Sequence, residues 1–319
     1  MSALFKGQKT LNDFSYISVG IDIGLNSCKM IEVKKTESGL ELVSWGIEKF
    51  AGGNAQLAVK QLLDILSEPD VAPRTAISGK GTLIRYIEML KMAPEELKKS
   101  FVFEADKYLP FPIDQIYLDC FILNKHVGDN KMSVLVAAAK KELVDERIDL
   151  LSSMSLQPDF ITLNALAIAN VFNVLGVSTD EGGADGVEKQ THAMAVLDIG
   201  EEVSNLTIIV DGLPAFSRDI FVGGREFTKS ISNALGIPFD EAENLKQNAG
   251  ERREKVLEAS ESVVLNLISE LRLSLDYFVT EKNIAIAELY LTGGASTLEG
   301  ITDSFAKYLE ITVKDWNPL

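Results

Sequence analysis

Three runs rich in apolar and β-branched residues follow one another near the start of the chain: ISVGIDI (17–23), CKMIEVKK (28–35) and LELVSWGIE (40–48). Short turns separate them, so they predict strands in a small sheet. A helix follows over 54–67, ended by Pro69 and Pro73. RTAISG (74–79) then reads as another buried strand.

Residues 83–156 have their own rhythm. LIRYIEML (83–90) is a predicted strand. The next segment, 94–109, is a helix with proline in its first turn. Leu97, Phe101, Ala105, Tyr108 and Leu109 recur on it at helical spacing. Two strands, 116–123 and 131–139, are joined by a polar turn, and a second helix covers 141–154. This β-α-β-β-α order predicts an inserted subdomain. A strand at 157–162 and a buried helix at 163–175 come next. The stretch 176–192 is polar, acidic and glycine-rich, which marks a linker.

The second half repeats the opening design. Asp22-Ile23-Gly24 has a counterpart in Asp198-Ile199-Gly200, and each copy reads strand, turn, strand, turn, strand, then helix. So long a repeat implies two similar domains rather than a solenoid. The expected layout is a tail (1–16), a first lobe (17–80 and 157–178), the inserted subdomain (81–156), a linker (179–192) and a second lobe (193–319).

Composition narrows the chemistry. The 319 residues can bury two ordinary cores. A net charge of −16 gives no general attraction for nucleic acid or anionic lipid. Two cysteines, Cys28 and Cys120, make neither a disulfide framework nor a cysteine zinc site. His126 and His192 lack metal-ligand spacing. The N-terminus lacks the apolar core of a signal peptide, and 163–177 is too short to span a bilayer. These features together read as a cytoplasmic protein that reaches a membrane only through another molecule.

Two hairpins tipped by a carboxylate and a glycine suit a nucleotide clamp. Glycine lets backbone N–H groups approach phosphate oxygens. Asp22 and Asp198 can hold Mg²⁺, which is usually gripped by one or two carboxylates plus phosphates. Ser27 and Lys29 add a hydroxyl and a cation after the first turn, and Ser204, Asn205 and Thr207 add polar groups after the second. VGGREFTKSI (222–231) and YLTGGAST (290–297) each run strand, Gly-Gly, helix, a form that serves either nucleotide approach or close packing.

The order DIG…DIG…GG…TGGAS resembles that of the actin-like ATPase superfamily. Residues 85–123, 134–172 and 268–278, above all KYLPFPID and AAKKELVD, are similar to the PilM family of the type IV pilus assembly platform. The resemblance implies an α/β chain with a two-lobed actin-like ATPase fold, made of duplicated RNase H-like domains with an SHS2-like subdomain inserted in the first. It implies ATP with Mg²⁺ bound between the lobes. It also implies docking of the N-terminal peptide of a PilN-like membrane protein, within a platform of other pilus proteins or a related type II secretion machine.

On this resemblance Asp22, Gly24, Asn26, Ser27 and Lys29 would line one phosphate loop, and Asp198, Gly200 and Ser204 the other. Glu243 and Lys246 match a helix pattern that meets the ribose or base in relatives, although alone they read better as an ordinary charged helix face. Gly223, Gly224, Gly293, Gly294 and Ala295 would complete the pocket. Where relatives carry a water-activating glutamate, this chain has Thr162, and Asn164 nearby is no base either. Binding with little or no hydrolysis is therefore expected, with no catalytic residue assigned. An active ATPase or kinase, or an FtsA-like filament former, are the alternatives. Met89, Met92, Phe103, Tyr108 and Phe111 are candidates for a peptide groove or for the subdomain's core. Members of the family usually extend several tens of residues past the point where this chain stops, which implies a short form or a shortened piece.

Overall fold

The computed structural model describes residues 16–50, 54–68, 72–175 and 192–317, so the expected tail and nearly all of the 179–192 linker lie outside the described residues. The chain divides into two compact units, Met1–Asn164 and Ala165–Leu319.

The first unit contains, in chain order, β1 (Tyr16–Ile23), β2 (Ser27–Thr36), β3 (Gly39–Lys49), α1 (Ala55–Leu63), β4 (Pro73–Ile77), β5 (Thr82–Leu90), α2 (Pro94–Glu104), β6 (Ile116–Asn124), β7 (Lys131–Lys140), α3 (Lys141–Ser152) and β8 (Phe160–Leu163). One sheet has the order β3-β2-β1-β4-β8 and a smaller one the order β5-β7-β6. In the larger sheet β1, β2 and β3 pair antiparallel, whereas β4 and β8 join in parallel. Val19, Ile21, Cys28 and Met30 alternate onto one face and pack against Ala58, Val59 and Leu62 of α1. Leu151 of α3 joins the same core. The smaller sheet is covered by Leu97 and Phe101 of α2.

Three boundaries differ from the periodicity. The first helix stops at Leu63, short of residue 67. The buried Glu32 carboxylate captures the segment beyond it: the Ser67 and Glu68 N–H groups and the Ser67 hydroxyl all donate to it, as does Ser44. The second helix tightens to a 3₁₀ turn at Ala105–Lys107, ahead of Pro110. The strand expected at 157–162 begins only at Phe160, after Pro158.

The second unit begins with α4 (Asn164–Val174), followed by β9 (Ala193–Ile199), β10 (Ser204–Val210), β11 (Leu213–Ile220), α5 (Gly224–Leu235), α6 (Phe239–Gln247), α7 (Arg253–Lys282), β12 (Ile286–Thr292), α8 (Ile301–Leu309) and β13 (Thr312–Asp315). Its sheet, β11-β10-β9-β12-β13, repeats the order and directions of the first. Asp22 pairs with Lys29 across the first hairpin, and Asp198 pairs with Asn205 across the second. Even the β-bulge recurs at the equivalent place, Glu32/Val33 and Ile208/Ile209. Phe227, Leu267, Leu271, Phe278 and Phe305 bury one face. Ala169 and Phe172 of α4 bury the other.

Among the described residues no helix is long and apolar enough to cross a membrane.

Candidate functional site

The first Asp-Ile-Gly turn is open. The Lys29 ammonium donates to the Asp22 carboxylate at 2.7 Å, in a pair whose side chains are 44% and 49% exposed. The Gly24 N–H donates to the Ser27 carbonyl, and the Phe50 N–H donates to that of Asn26, which fixes the turn's shape. Gly24 and Asn26 are exposed and Ser27 half-buried.

Behind this turn is Arg147, a residue the motif reading missed. Its guanidinium donates to the Ile23 carbonyl at 3.0 Å and to the Thr75 hydroxyl at 3.3 Å. Burial lowers its pKa, although the charge of Asp22 partly opposes this. An arginine stays protonated regardless, so α3 delivers a fixed positive charge to the strand end that carries Asp22. Burial also pushes the neighbouring Cys28 thiol up to about 11, which removes it as a nucleophile.

The second turn is built in. Gly293 adopts φ +92°, and a β-carbon there would lie 2.6 Å from the Ile199 carbonyl oxygen and against the Asp198 carboxylate. At Gly223 a β-carbon would meet the Glu201 and Gly200 carbonyls at 2.6 and 2.7 Å, and at Gly200 the Val203 carbonyl at 2.7 Å. These three glycines are required by the protein's own packing. Gly294 is different, with no atom within 4 Å of the equivalent position.

The first two N–H groups of α5 are taken by the protein itself. The Gly224 and Arg225 N–H groups donate to the Gly200 and Glu201 carbonyls, both at 2.8 Å. The Ser204 hydroxyl is fully buried and donates to the Val222 carbonyl at 2.6 Å, so it braces the turn from within rather than lining an open loop.

Lys246 is 6% exposed, and its ammonium donates to the Gly224 carbonyl (3.0 Å), the Thr228 hydroxyl (2.8 Å) and the Glu243 carboxylate (2.7 Å). All three of its protons are thereby placed. Burial raises the pKa of Glu243, but hydrogen bonds from Lys246, Thr228 and Gln247 and the Lys246 charge outweigh it and hold the carboxyl below its usual range. A β-carbon on Gly224 would touch Ala295, Glu201 and Lys246 at 3.1–3.2 Å. The second unit thus brings together Asp198, Gly200, Gly223, Gly224, Glu243, Lys246, Gly293 and Ala295. Thr228 and Gln247, which complete the network, lie four residues after Gly224 and Glu243, one helical turn on the same face.

Among the described residues no group of three or more His, Cys, Asp or Glu could hold a metal ion by itself. Mg²⁺ does not require one, because phosphates and water supply most of its ligands. Thr162 lies on β8 beside Ala76, and Asn164 opens α4.

Four of the five groove candidates, Met89, Met92, Tyr108 and Phe111, pack against the core of the three-stranded sheet. Tyr108 stacks on Phe101 with ring centroids 5.7 Å apart. Phe103 faces outward and is 87% exposed, beside Val102 at 47%.

A family model described as "Type IV pilus assembly protein PilM" matches residues 20–319. Among solved structures, a PilM-PilN type IV pilus biogenesis complex is similar at a TM-score of 0.78 and 24% identity, over 94% of this chain and 88% of that one. The ethanolamine utilization protein EutJ from Carboxydothermus hydrogenoformans is similar at 0.56 and 14%, over 94% and 84%. The cell division protein FtsA of Borreliella burgdorferi is 23% identical over 77% of this chain, a match that spans 65% of its own length. The fold is the actin-like ATPase fold, duplicated on two five-stranded sheets, with the β-α-β-β-α insertion in the first.

Proposed function

The chain belongs to the type IV pilus assembly protein PilM family, and from that premise we propose that it is a nucleotide-binding scaffold of the pilus assembly platform or a related secretion platform. The observation that carries the nucleotide reading is the Lys246–Glu243–Thr228 network. It lies against Gly224 and Ala295, in the same unit as Asp198 and the open backbone at Gly294.

Asp198 and Asp22 would hold Mg²⁺, through water or directly. Lys29 would exchange Asp22 for a phosphate oxygen, an inexpensive exchange for an exposed pair. Gly294 and Gly24 would offer backbone close to the ligand. Glu243, with a carboxylate still partly open, would meet the ribose or base more directly than Lys246. When bound, Mg·ATP supplies a hydrolysable anhydride. Thr162 and Asn164 offer no base to activate a water for attack on it, so in this reading ATP acts as a ligand that stabilises one conformation by mass action.

The partner in this reading is the N-terminal peptide of a PilN-like protein, with other platform proteins around it. The protein would then be cytoplasmic and held at the inner membrane by that partner. The most open apolar side chain of the inserted subdomain, Phe103, is the natural contact.

The test is to mix the full chain with a peptide copying the N-terminus of the neighbouring PilN-like protein, with and without Mg·ATP, and to measure binding and phosphate release. Binding of both, with release far slower than the roughly 1–100 s⁻¹ of a working kinase, is expected. Release at that rate would make it an enzyme, and absence of peptide binding would remove the partner.

A further inference from the structure

The two Asp-Ile-Gly turns differ in charge as well as in packing. From Asp22 to Lys29 the first turn has one carboxylate and one ammonium, and the structure joins them at 2.7 Å. Arg147 of α3 adds a further positive charge from behind. Its two acceptors, the Ile23 carbonyl and the Thr75 hydroxyl, are both neutral. Thr75 is buried, so one of these bonds reaches into the protein interior. Asp22 is the carboxylate whose charge reaches the guanidinium, and that carboxylate is the one Lys29 holds.

Two neutral oxygens do not call for a charged donor. An amide would satisfy them, and taking a charge partly out of water is costly unless an opposite charge compensates it. The two bonds also use only two of the five guanidinium N–H donors. The duplicate shows that the fold does not need this cation. α3 precedes β8 as α8 precedes β13, the matching edge strand of the second sheet. α8 buries Ile301 and Phe305, and its one cation, Lys307, is exposed. The charged residues that follow Asp198 at its turn are Glu201 and Glu202, the opposite sign. The added positive charge therefore belongs to the first copy.

We propose that Arg147 is a positioning residue that makes the Asp22 turn the phosphate-selective one. Through its bond to the Ile23 carbonyl it fixes the peptide between Asp22 and Gly24. Its charge, carried behind the turn, is what an arriving phosphate compensates. It acts through the turn, on whose open side the exposed Lys29 ammonium would make the direct contact. This inference rests on the nucleotide reading above and adds to it which of the two turns recognises phosphate, and by what charge.

The test titrates Mg·ATP and adenosine into the full chain by calorimetry, with Arg147→Gln and Arg147→Lys beside the unaltered protein. Glutamine keeps a neutral donor and removes the charge, whereas lysine keeps the charge. Arg147→Gln should weaken Mg·ATP about tenfold and leave adenosine unchanged. Arg147→Lys should recover most of the loss. Added KCl should weaken Mg·ATP more steeply in the unaltered chain than in Arg147→Gln, a difference that a purely structural brace would not produce. Unchanged Mg·ATP affinity in Arg147→Gln, an equal loss for adenosine, or Arg147→Lys as weak as Arg147→Gln would overturn the proposal and leave the nucleotide reading standing. No binding of Mg·ATP by the unaltered chain would overturn both.

Discussion

In the second unit the Asp198 turn is walled in by Gly200, Gly223 and Gly293, braced by Ser204 and backed by a lysine with all its protons placed. In the first unit the matching Asp22 turn rests on an exposed lysine and a half-buried Arg147. The strands, register and bulge are the same in both, so the difference arises from what packs behind them. Six residues decide it in the second unit: three glycines, Ser204, Lys246 and Glu243. A turn built this way holds its shape without a ligand, whereas the open copy is free to adjust to one. Under the proposed nucleotide reading, the Asp198 turn would be preformed and the Asp22 turn would respond to ligand.

The largest contrast is expected between two glycines. Gly293→Ala combines a left-handed φ with a collision against backbone, and should destabilise the chain by about 3 kcal/mol. At Gly24 the added carbon meets only the Ser27 carbonyl at 3.2 Å, and Gly24→Ala should lose about 1 kcal/mol or less. Urea unfolding of both variants checks this, and equal losses would erase the distinction between the turns.

Next come the two lysines. Lys246→Met takes the ammonium away from a partly buried carboxylate and from the Gly224 carbonyl, a loss of about 2–3 kcal/mol. Lys29→Met breaks an exposed pair with Asp22 and should cost under about 0.5 kcal/mol. The same urea unfolding should show Arg147→Ala in between, at about 1–2 kcal/mol for two lost hydrogen bonds. It would be the larger of the two effects within the first unit.

The smallest effect is in pH. Glu32, Glu243 and Glu288 are each held below the usual carboxylate range: burial raises each one, and hydrogen bonds to the ionised form outweigh it. A depressed folded pKa gives stability that is complete above the unfolded value of about 4.3 and disappears as pH falls through the folded value. Melting temperature should therefore be flat on this account above about pH 5 and fall below about 4.3. Lys246→Met should make that fall shallower, because Glu243 then has less to lose, whereas Lys29→Met should leave its slope unchanged.

Much of this fold could be read from the chain because its strands are apolar, β-branched runs separated by obvious turns. The repeated Asp-Ile-Gly exposed the duplication, and the β-α-β-β-α rhythm exposed the insertion. The site was legible only as a set of positions. Asp198, Gly223, Gly293, Glu243 and Lys246 were picked out by motif or by resemblance, yet several of the glycines serve packing, and the Ser204 hydroxyl is buried in the frame. A motif gives residue types, and does not say which side of a turn is filled by protein. Arg147 carried no motif at all, since its role depends on α3 returning to β1 from far along the chain. Glu32 was hidden similarly, by donors that come from a loop thirty-five and thirty-six residues away.

The central claim, a preformed second turn and a responsive first one, is tested most directly by hydrogen exchange of residues 19–29 and 196–206 with and without Mg·ATP. The account predicts that 196–206 is already slow in the free chain and changes little, while 19–29 exchanges readily and becomes strongly protected when the nucleotide binds. Equal protection of both segments in the free chain, or a ligand response confined to 196–206, would contradict it.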